Sequence, residues 1–180
     1  MKKIIPVLLL SVLLFMSGCT DNGYKSVEEV MQSSELKNKH IFYKHEVEDG
    51  IILLYENPID GIDAGFVQKV GKRYELSIEG GVSSPSNETD ITWNWINLIS
   101  NENQHQFYIG IVNSPSITRL HIGSSKYIDK DVEIIELRDG TKLWFAMQDN
   151  SSVVQPGFIL NGFDKDGKNV YHYEADQSIL

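Results

Sequence analysis

The chain has 180 residues, of which 41% are hydrophobic and 23% are charged, and it contains no low-complexity tract. This composition predicts a folded domain and excludes a largely disordered chain. The formal net charge is −9, with 25 acidic residues against 16 basic ones. Because nucleic-acid binding depends on Lys and Arg side chains that neutralise phosphates, this charge argues against a nucleic-acid partner.

The first 18 residues have the pattern of a signal peptide. Lys2 and Lys3 form a short basic start, and residues 4–16 carry no charge. A membrane-spanning helix needs about 20 apolar residues, so this run is too short to span a bilayer and has the length of a signal-peptide core. The small residues Ser17 and Gly18 follow it and stand directly before Cys19.

The segment that ends at Cys19 resembles the bacterial lipobox, in which a Leu-like residue, two small residues and Cys follow one another. Met16 stands here where Leu is commonest. The resemblance implies that residues 1–18 are a lipoprotein signal peptide, that Cys19 receives diacylglycerol with acyl chains such as palmitate, and that cleavage occurs before Cys19. The expected location is the cell membrane, with the protein lipid-anchored and facing outside the cytoplasm. A plain secretory signal or an uncleaved anchor is the alternative.

Removal of 18 of the 180 residues would leave 162, and the loss of Lys2 and Lys3 would leave 14 basic against 25 acidic residues, a net charge of −11. Cys19 is the only cysteine of the chain, so an intramolecular disulfide is excluded. Residues 19–25 are predicted to be a lipidated tether. Its six polar residues after Cys19 reach at most about 20 Å, which would keep the folded part near the membrane.

A helix is predicted to begin at Ser26. Ser26 can cap it, Glu29 follows three residues later as in a capping box, and a partial apolar stripe indicates a short helix that ends near Leu36. Alternating apolar residues and Gly-containing turns then predict an antiparallel meander. The helix and the meander together form a predicted module over residues 26–81, with strands at 41–47, 51–55, 64–70 and 74–78.

Residues 82–90 are rich in Ser, Pro and Asn and lack apolar periodicity, so they are predicted to be a loop and the best internal boundary. Regularly spaced strands after this loop indicate a β-sandwich-like (immunoglobulin-like) module over residues 91–174, either separate from residues 26–81 or one compact unit with them. The predicted fold class is therefore mostly β (α+β). The later strands are predicted at 91–98, 106–112, 117–122, 132–137, 142–147, 157–162 and 169–173.

The folded part also resembles the small, uncharacterised lipoproteins that are common in spore-forming Gram-positive bacteria. The resemblance rests on strand-and-turn segments, namely DGIILLYE, GFVQKV, FYIGIV, LWFAM and LNGFDKDGKNVYHYE. It implies an envelope location. These segments are not active-site signatures, so the resemblance implies no catalytic residues.

No motif predicts a metal site or a catalytic residue. The loop at residues 164–169 lacks the calcium-loop spacing, because its Gly comes fourth and Ala175 stands at position 12. The histidines show neither His-x-His nor His-Glu-x-x-His spacing. Ser124 and Lys126 lack the Ser-x-x-Lys spacing of a nucleophile pair. No cofactor is therefore expected apart from the covalent diacylglycerol on Cys19.

Trp93 and Trp95 are the candidate ligand-binding residues. They alternate with Thr92, Asn94 and Ile96, so both are expected on one face of a half-buried strand. Aromatic side chains on a sheet bind sugar rings or peptides, although such side chains more often pack in the core. Core packing is the favoured interpretation, and ligand contact is the alternative.

These patterns favour a non-enzymatic binding module at the cell envelope. The expected partners are the membrane, through the lipid anchor, and an envelope protein or a cell-wall component. Tethering would raise the effective concentration at the surface without requiring tight intrinsic binding. The alternative is an envelope hydrolase whose active-site residues converge only in the folded chain. A transporter's solute receptor is disfavoured, since alternating βα units are absent from the sequence.

Overall fold

The computed structural model describes residues 23–33, 35–57, 61–82, 89–99, 103–124, 126–149 and 155–176. The predicted signal peptide and Cys19 lie outside these residues, as does most of the predicted boundary loop. Within the described ranges no helix has the length and apolar character needed to cross a membrane. The described chain is mostly β with antiparallel sheets, which confirms the predicted fold class at that level.

One short helix and eleven strands make up the regular structure of the described chain. The elements are α1 (Val27–Met31), β1 (Ile41–Val47), β2 (Gly50–Glu56), β3 (Ile62–Val70), β4 (Arg73–Val82), β5 (Ile91–Ile99), β6 (Gln104–Val112), β7 (Arg119–Ser124), β8 (Ile128–Glu136), β9 (Lys142–Met147), β10 (Phe158–Phe163) and β11 (Asn169–Ala175).

The helix α1 is capped by Ser26, whose Oγ accepts a hydrogen bond from the Glu29 N–H at 3.2 Å. The Glu29 carboxylate accepts in turn from the N–H of Lys25, the residue before the cap, at 2.5 Å, so the two side chains hold the chain entry into the helix from both sides. The sequence predicted a helix that ends near Leu36. The helix instead ends at Met31. Leu36 is instead buried in the turns that follow, where it packs in the same core cluster as Val30.

The first sheet has the order β1-β2-β3-β4, and every neighbouring pair is antiparallel. The two inner strands are covered on both faces. In β2, Ile52 and Leu54 pack toward the rest of the protein, whereas Leu53 and Tyr55 pack beneath α1 and its following turns. The alternation of side chains along a strand therefore gives this sheet two separate apolar contacts.

The second sheet has the order β11-β10-β7-β8-β9-β6-β5 and is also antiparallel throughout. Its strand β8 has two partners along its length. Residues 128–132 pair with β7, and residues 133–136 pair with β9. The sequence had predicted a strand only from residue 132, so the earlier part of β8 corrects that prediction.

Strands β6 and β9 form the middle layer, because both of their faces are buried. On one face Phe107 and Phe145 pack with Phe66 of the first sheet. On the other face Tyr108 and Trp144 pack in a second cluster with side chains of β7, β8 and β10. Residues on both sides of the predicted internal boundary thus contribute to one core cluster. The immunoglobulin-like arrangement of the second half stays a prediction.

Candidate functional site

An open cavity lies where the two end strands of the seven-stranded sheet, β5 and β11, approach each other. The Trp93 ring contacts the Tyr173 ring at a centroid distance of 5.7 Å, and it packs edge-on against Phe158 at 4.9 Å. We call the cavity the aromatic cleft. Its volume is about 490 Å³, and it is lined by Thr89, Asp90, Ile91, Thr92, Trp93, Tyr171 and Tyr173.

The local sequence explains why these aromatic side chains meet. Trp93 and Trp95 share one face of β5, and Tyr171 and Tyr173 share one face of β11, because side chains two residues apart in a strand point to the same side. All four pack partly buried against the second core cluster. Val170, which precedes Tyr171, is 40% exposed on the opposite face of β11. The cleft is thus formed where the apolar face of β5 meets the apolar face of β11.

The polar groups of the cleft are available to a ligand. Within the described residues the phenol groups of Tyr171 and Tyr173 form no hydrogen bond, and neither does the carboxylate of Asp90. Asp90 contributes only its main-chain carbonyl, which accepts from the N–H groups of Asn113 and Ser114. A ligand in the cleft would therefore meet the phenol hydroxyls of Tyr171 and Tyr173 and the carboxylate of Asp90.

The cleft is electronegative. Asp90 is exposed, and it is the one charged side chain among the described lining residues. Burial raises the pKa of the Tyr171 phenol, and the nearby Tyr173 and Asp90 raise it further. Tyr171 therefore stays protonated and neutral at ordinary pH, while Asp90 supplies a negative charge beside it. A cation or a hydrogen-bond donor is the ligand chemistry that this environment suits.

Of the two candidate tryptophans, only Trp93 is among the lining residues of the cleft. Trp95 packs at the second core cluster, and its Nε1 donates to Gln148 Oε1 at 2.6 Å. The sequence reasoning missed Asp90, Tyr171 and Tyr173. The two tyrosines carry the same signal as the tryptophans, namely aromatic residues two positions apart. Ligand binding by Trp93 or Trp95 stays a prediction.

A second cavity, of about 590 Å³, lies along β7, β10 and the end of β11. His121 and Ser124 both line it, a pair that could suggest a hydrolase. However, His121 Nε2 contacts Asp129 at 3.1 Å, and its Nδ1 contacts Asp131 at 3.3 Å. Because both ring nitrogens face carboxylates, neither is left to take a proton from a serine.

The charged groups around His121 form a surface network. The hydrogen bond from His121, followed by that from Arg119, holds the pKa of the Asp131 carboxyl below its usual range. Asp129 and Asp131 are 80% and 65% exposed, so the network lies in water and not in a closed site. Within the described ranges no group of three or more His, Asp or Glu side chains is arranged to hold a metal ion.

The loop at residues 164–169, which resembles a calcium loop superficially, is the turn between β10 and β11. The Asp164 carboxylate accepts hydrogen bonds from the N–H groups of Asp166 and Lys168, both at 2.9 Å. Gly167 takes the positive φ of 80° that the turn requires. The side chain that would be the first calcium ligand is therefore used by the turn itself.

Comparison of the chain with models of protein families, with curated proteins and with solved structures finds no match in any of the three.

Two polar contacts hold the β1–β2 hairpin against the seven-stranded sheet. His105 Nε2 lies 2.5 Å from Asp49 Oδ1, and both side chains are more than four-fifths buried. The Tyr43 hydroxyl donates to the Glu133 carboxylate at 2.8 Å. The imidazole of His105 also packs against the Phe66 ring, with a centroid distance of 5.3 Å. These contacts fix the β1–β2 hairpin on the middle layer, so we assign them a structural role.

Proposed function

We propose that this protein is a lipid-anchored extracytoplasmic binding module. Diacylglycerol on Cys19 would hold it at the outer side of the cell membrane, and the aromatic cleft would receive a ligand there. The anchor is supported by the lipobox pattern, in which the only cysteine of the chain follows an uncharged run and two small residues. Two acyl chains on one residue also meet the requirement for stable membrane attachment, because a single chain binds only marginally.

One observation carries the binding role. The aromatic cleft combines three partly buried aromatic side chains with hydroxyl and carboxylate groups that the described residues leave without partners. Trp93, Tyr171 and Tyr173 are only partly buried, so a ligand can reach them from solvent. Open aromatic walls with a few free polar groups are typical of small-molecule sites.

The same cleft lacks the groups that would favour an enzyme. Its described lining contains no His, Cys or Lys, so it offers no base beside a nucleophile. The alternative, an envelope hydrolase, would have to use the second cavity, where His121 is held between two carboxylates. These observations favour binding over catalysis.

We further infer that residues 91–174 are a sandwich-like module with its cleft at one seam. The second core cluster supports this inference, because its side chains come from β5, β6 and β9 on one side and from β7, β10 and β11 on the other.

The anchor is tested by a Cys19→Ala variant expressed in a bacterium beside the wild type. We expect the wild type to incorporate labelled palmitate and to fractionate with membranes, and the variant to do neither. Ser124→Ala is the matched control, since it changes a side chain far along the chain and should keep both properties. A Cys19→Ala protein that fractionates with membranes like the wild type would contradict the anchor.

A further inference from the structure

We propose that the aromatic cleft binds a methylated ammonium ion, with Trp93, Tyr171 and Tyr173 as its walls and Asp90 as its counter-charge. This inference rests on the proposed binding role and names the class of ligand. Quaternary ammonium groups are recognised by aromatic side chains because the negative face of each ring attracts the cation. A neighbouring carboxylate strengthens that attraction.

The arrangement of the rings favours a cation over a sugar. The planes of Trp93 and Tyr173 are tilted by 55° at a centroid distance of 5.7 Å, so the two rings form a corner. A sugar ring stacks on a flat aromatic surface, whereas a compact cation in a corner contacts two rings at once. Trp93 is held in this orientation by Phe158, which packs against it at an interplanar angle of 89°.

Two other aromatic rings of the protein are already covered by its own cationic side chains. The Arg119 guanidinium lies 4.0 Å from the centroid of Phe163, and the Lys126 ammonium lies 5.2 Å from that of Tyr127. Within the described part of the chain, no Lys or Arg lies over the three aromatic rings of the cleft. The negative faces of these three rings, beside the Asp90 carboxylate, are thus available to a cation from solvent.

The polar groups favour a methylated ammonium over the primary ammonium of a lysine side chain. A primary ammonium is strongly hydrated and carries three N–H donors that need acceptors. The described lining supplies one carboxylate, together with hydroxyls and three aromatic rings. Methyl groups need no acceptors and pack against ring faces. The volume of about 490 Å³ falls within the range of small-molecule sites, roughly 300–1,000 Å³.

The test measures binding of choline to the full chain by titration calorimetry. The solubilising detergent should be a polyoxyethylene ether, which contains neither sugar nor choline. The neutral isostere 3,3-dimethylbutan-1-ol has the same shape without the charge. We expect choline to bind and the isostere to bind roughly tenfold more weakly, because the charge is what the rings and Asp90 attract. Equal binding of the two compounds would overturn the proposal.

Two variants test whether choline binds in the aromatic cleft. Asp90→Asn removes the counter-charge at an exposed position, so we expect a folded protein whose affinity for choline falls several-fold. Trp93→Leu should abolish binding, and its thermal unfolding shows whether the fold has survived. Asp166→Asn, in the β10–β11 turn, is the matched control and should bind choline like the wild type. Unchanged affinity in Asp90→Asn would contradict the proposal whatever Trp93→Leu does.

Two further ligands separate a wrong ligand class from a wrong function. If an N-acetylglucosamine oligomer or Nα-acetyl-lysine methylamide binds in a Trp93-dependent way and choline does not, the ammonium proposal fails and the binding role stands. If none of the ligands binds, the ammonium proposal fails together with the binding role at this cleft. The lipid anchor is tested separately at Cys19.

Discussion

Gly110 of β6 lies directly opposite Trp144 of β9, and a side chain at Gly110 would overlap both the Trp144 indole and the Thr92 carbonyl. Trp144 is fully buried, and its Nε1 donates to that same carbonyl at 3.2 Å. The glycine therefore provides the space in which the Trp144 indole packs and keeps its hydrogen bond.

A Gly110→Ala variant should lose about 2–3 kcal/mol of unfolding free energy, because the middle layer is packed on both faces and cannot expand without displacing Trp144. Urea denaturation, followed by tryptophan fluorescence, measures the loss. Gly123→Ala is the matched control, since a methyl group there would make ordinary contacts at 3.4 Å or more. Equal effects of the two substitutions would contradict this account of Gly110.

The Asp49–His105 pair predicts a second effect on stability. In Asp49→Asn the imidazole of His105 would keep its burial and lose its charged partner, so we expect a loss of about 1–3 kcal/mol in unfolding free energy. Asp131→Asn is the comparison, because its partner Arg119 is 46% exposed and water replaces the lost contact. The midpoints of denaturant-induced unfolding are measured for both variants, and we expect the lower midpoint in Asp49→Asn. A larger effect at Asp131 would refute the assignment.

Tyr43 predicts a change of stability at alkaline pH. Burial, and then the hydrogen bond to Glu133, raise the pKa of Tyr43 to about 12. Its stabilising contribution is fully present below the unfolded pKa, about 10, and is lost as pH rises toward 12. Denaturation midpoints at intervals across this window should fall less steeply in Tyr43→Phe than in the wild type. A steeper fall in the variant would be inconsistent with the raised pKa.

The sequence predicted the strands well where apolar or alternating residues continue along the strand; β9, predicted at 142–147, is observed over Lys142–Met147. In β5 the alternation of Trp93 and Trp95 with polar residues indicated both the strand and its shared face. It failed at the start of β8, because Asp129 and Asp131 occupy the exposed face there and resemble a loop. The early end of α1 was missed for another reason, since Leu36 is buried by a turn and not by a helix.

The cleft could not be predicted because it depends on which strands meet. Trp93 and Tyr173 are 80 positions apart in the chain, and they touch only because β5 and β11, the two end strands of one sheet, approach each other. Local periodicity determines the face on which a side chain lies. It does not determine which distant strand that face will meet.

The contact between β5 and β11 also bears on how the protein avoids pairing with other chains. The unpaired backbone of an edge strand can pair with a strand of another chain. Here the two ends of the seven-stranded sheet approach each other through Trp93 and Tyr173, and the Asn94 side chain also donates to the Gly81 carbonyl of β4. These side-chain contacts cover part of the two edges, and the cleft opens beside them.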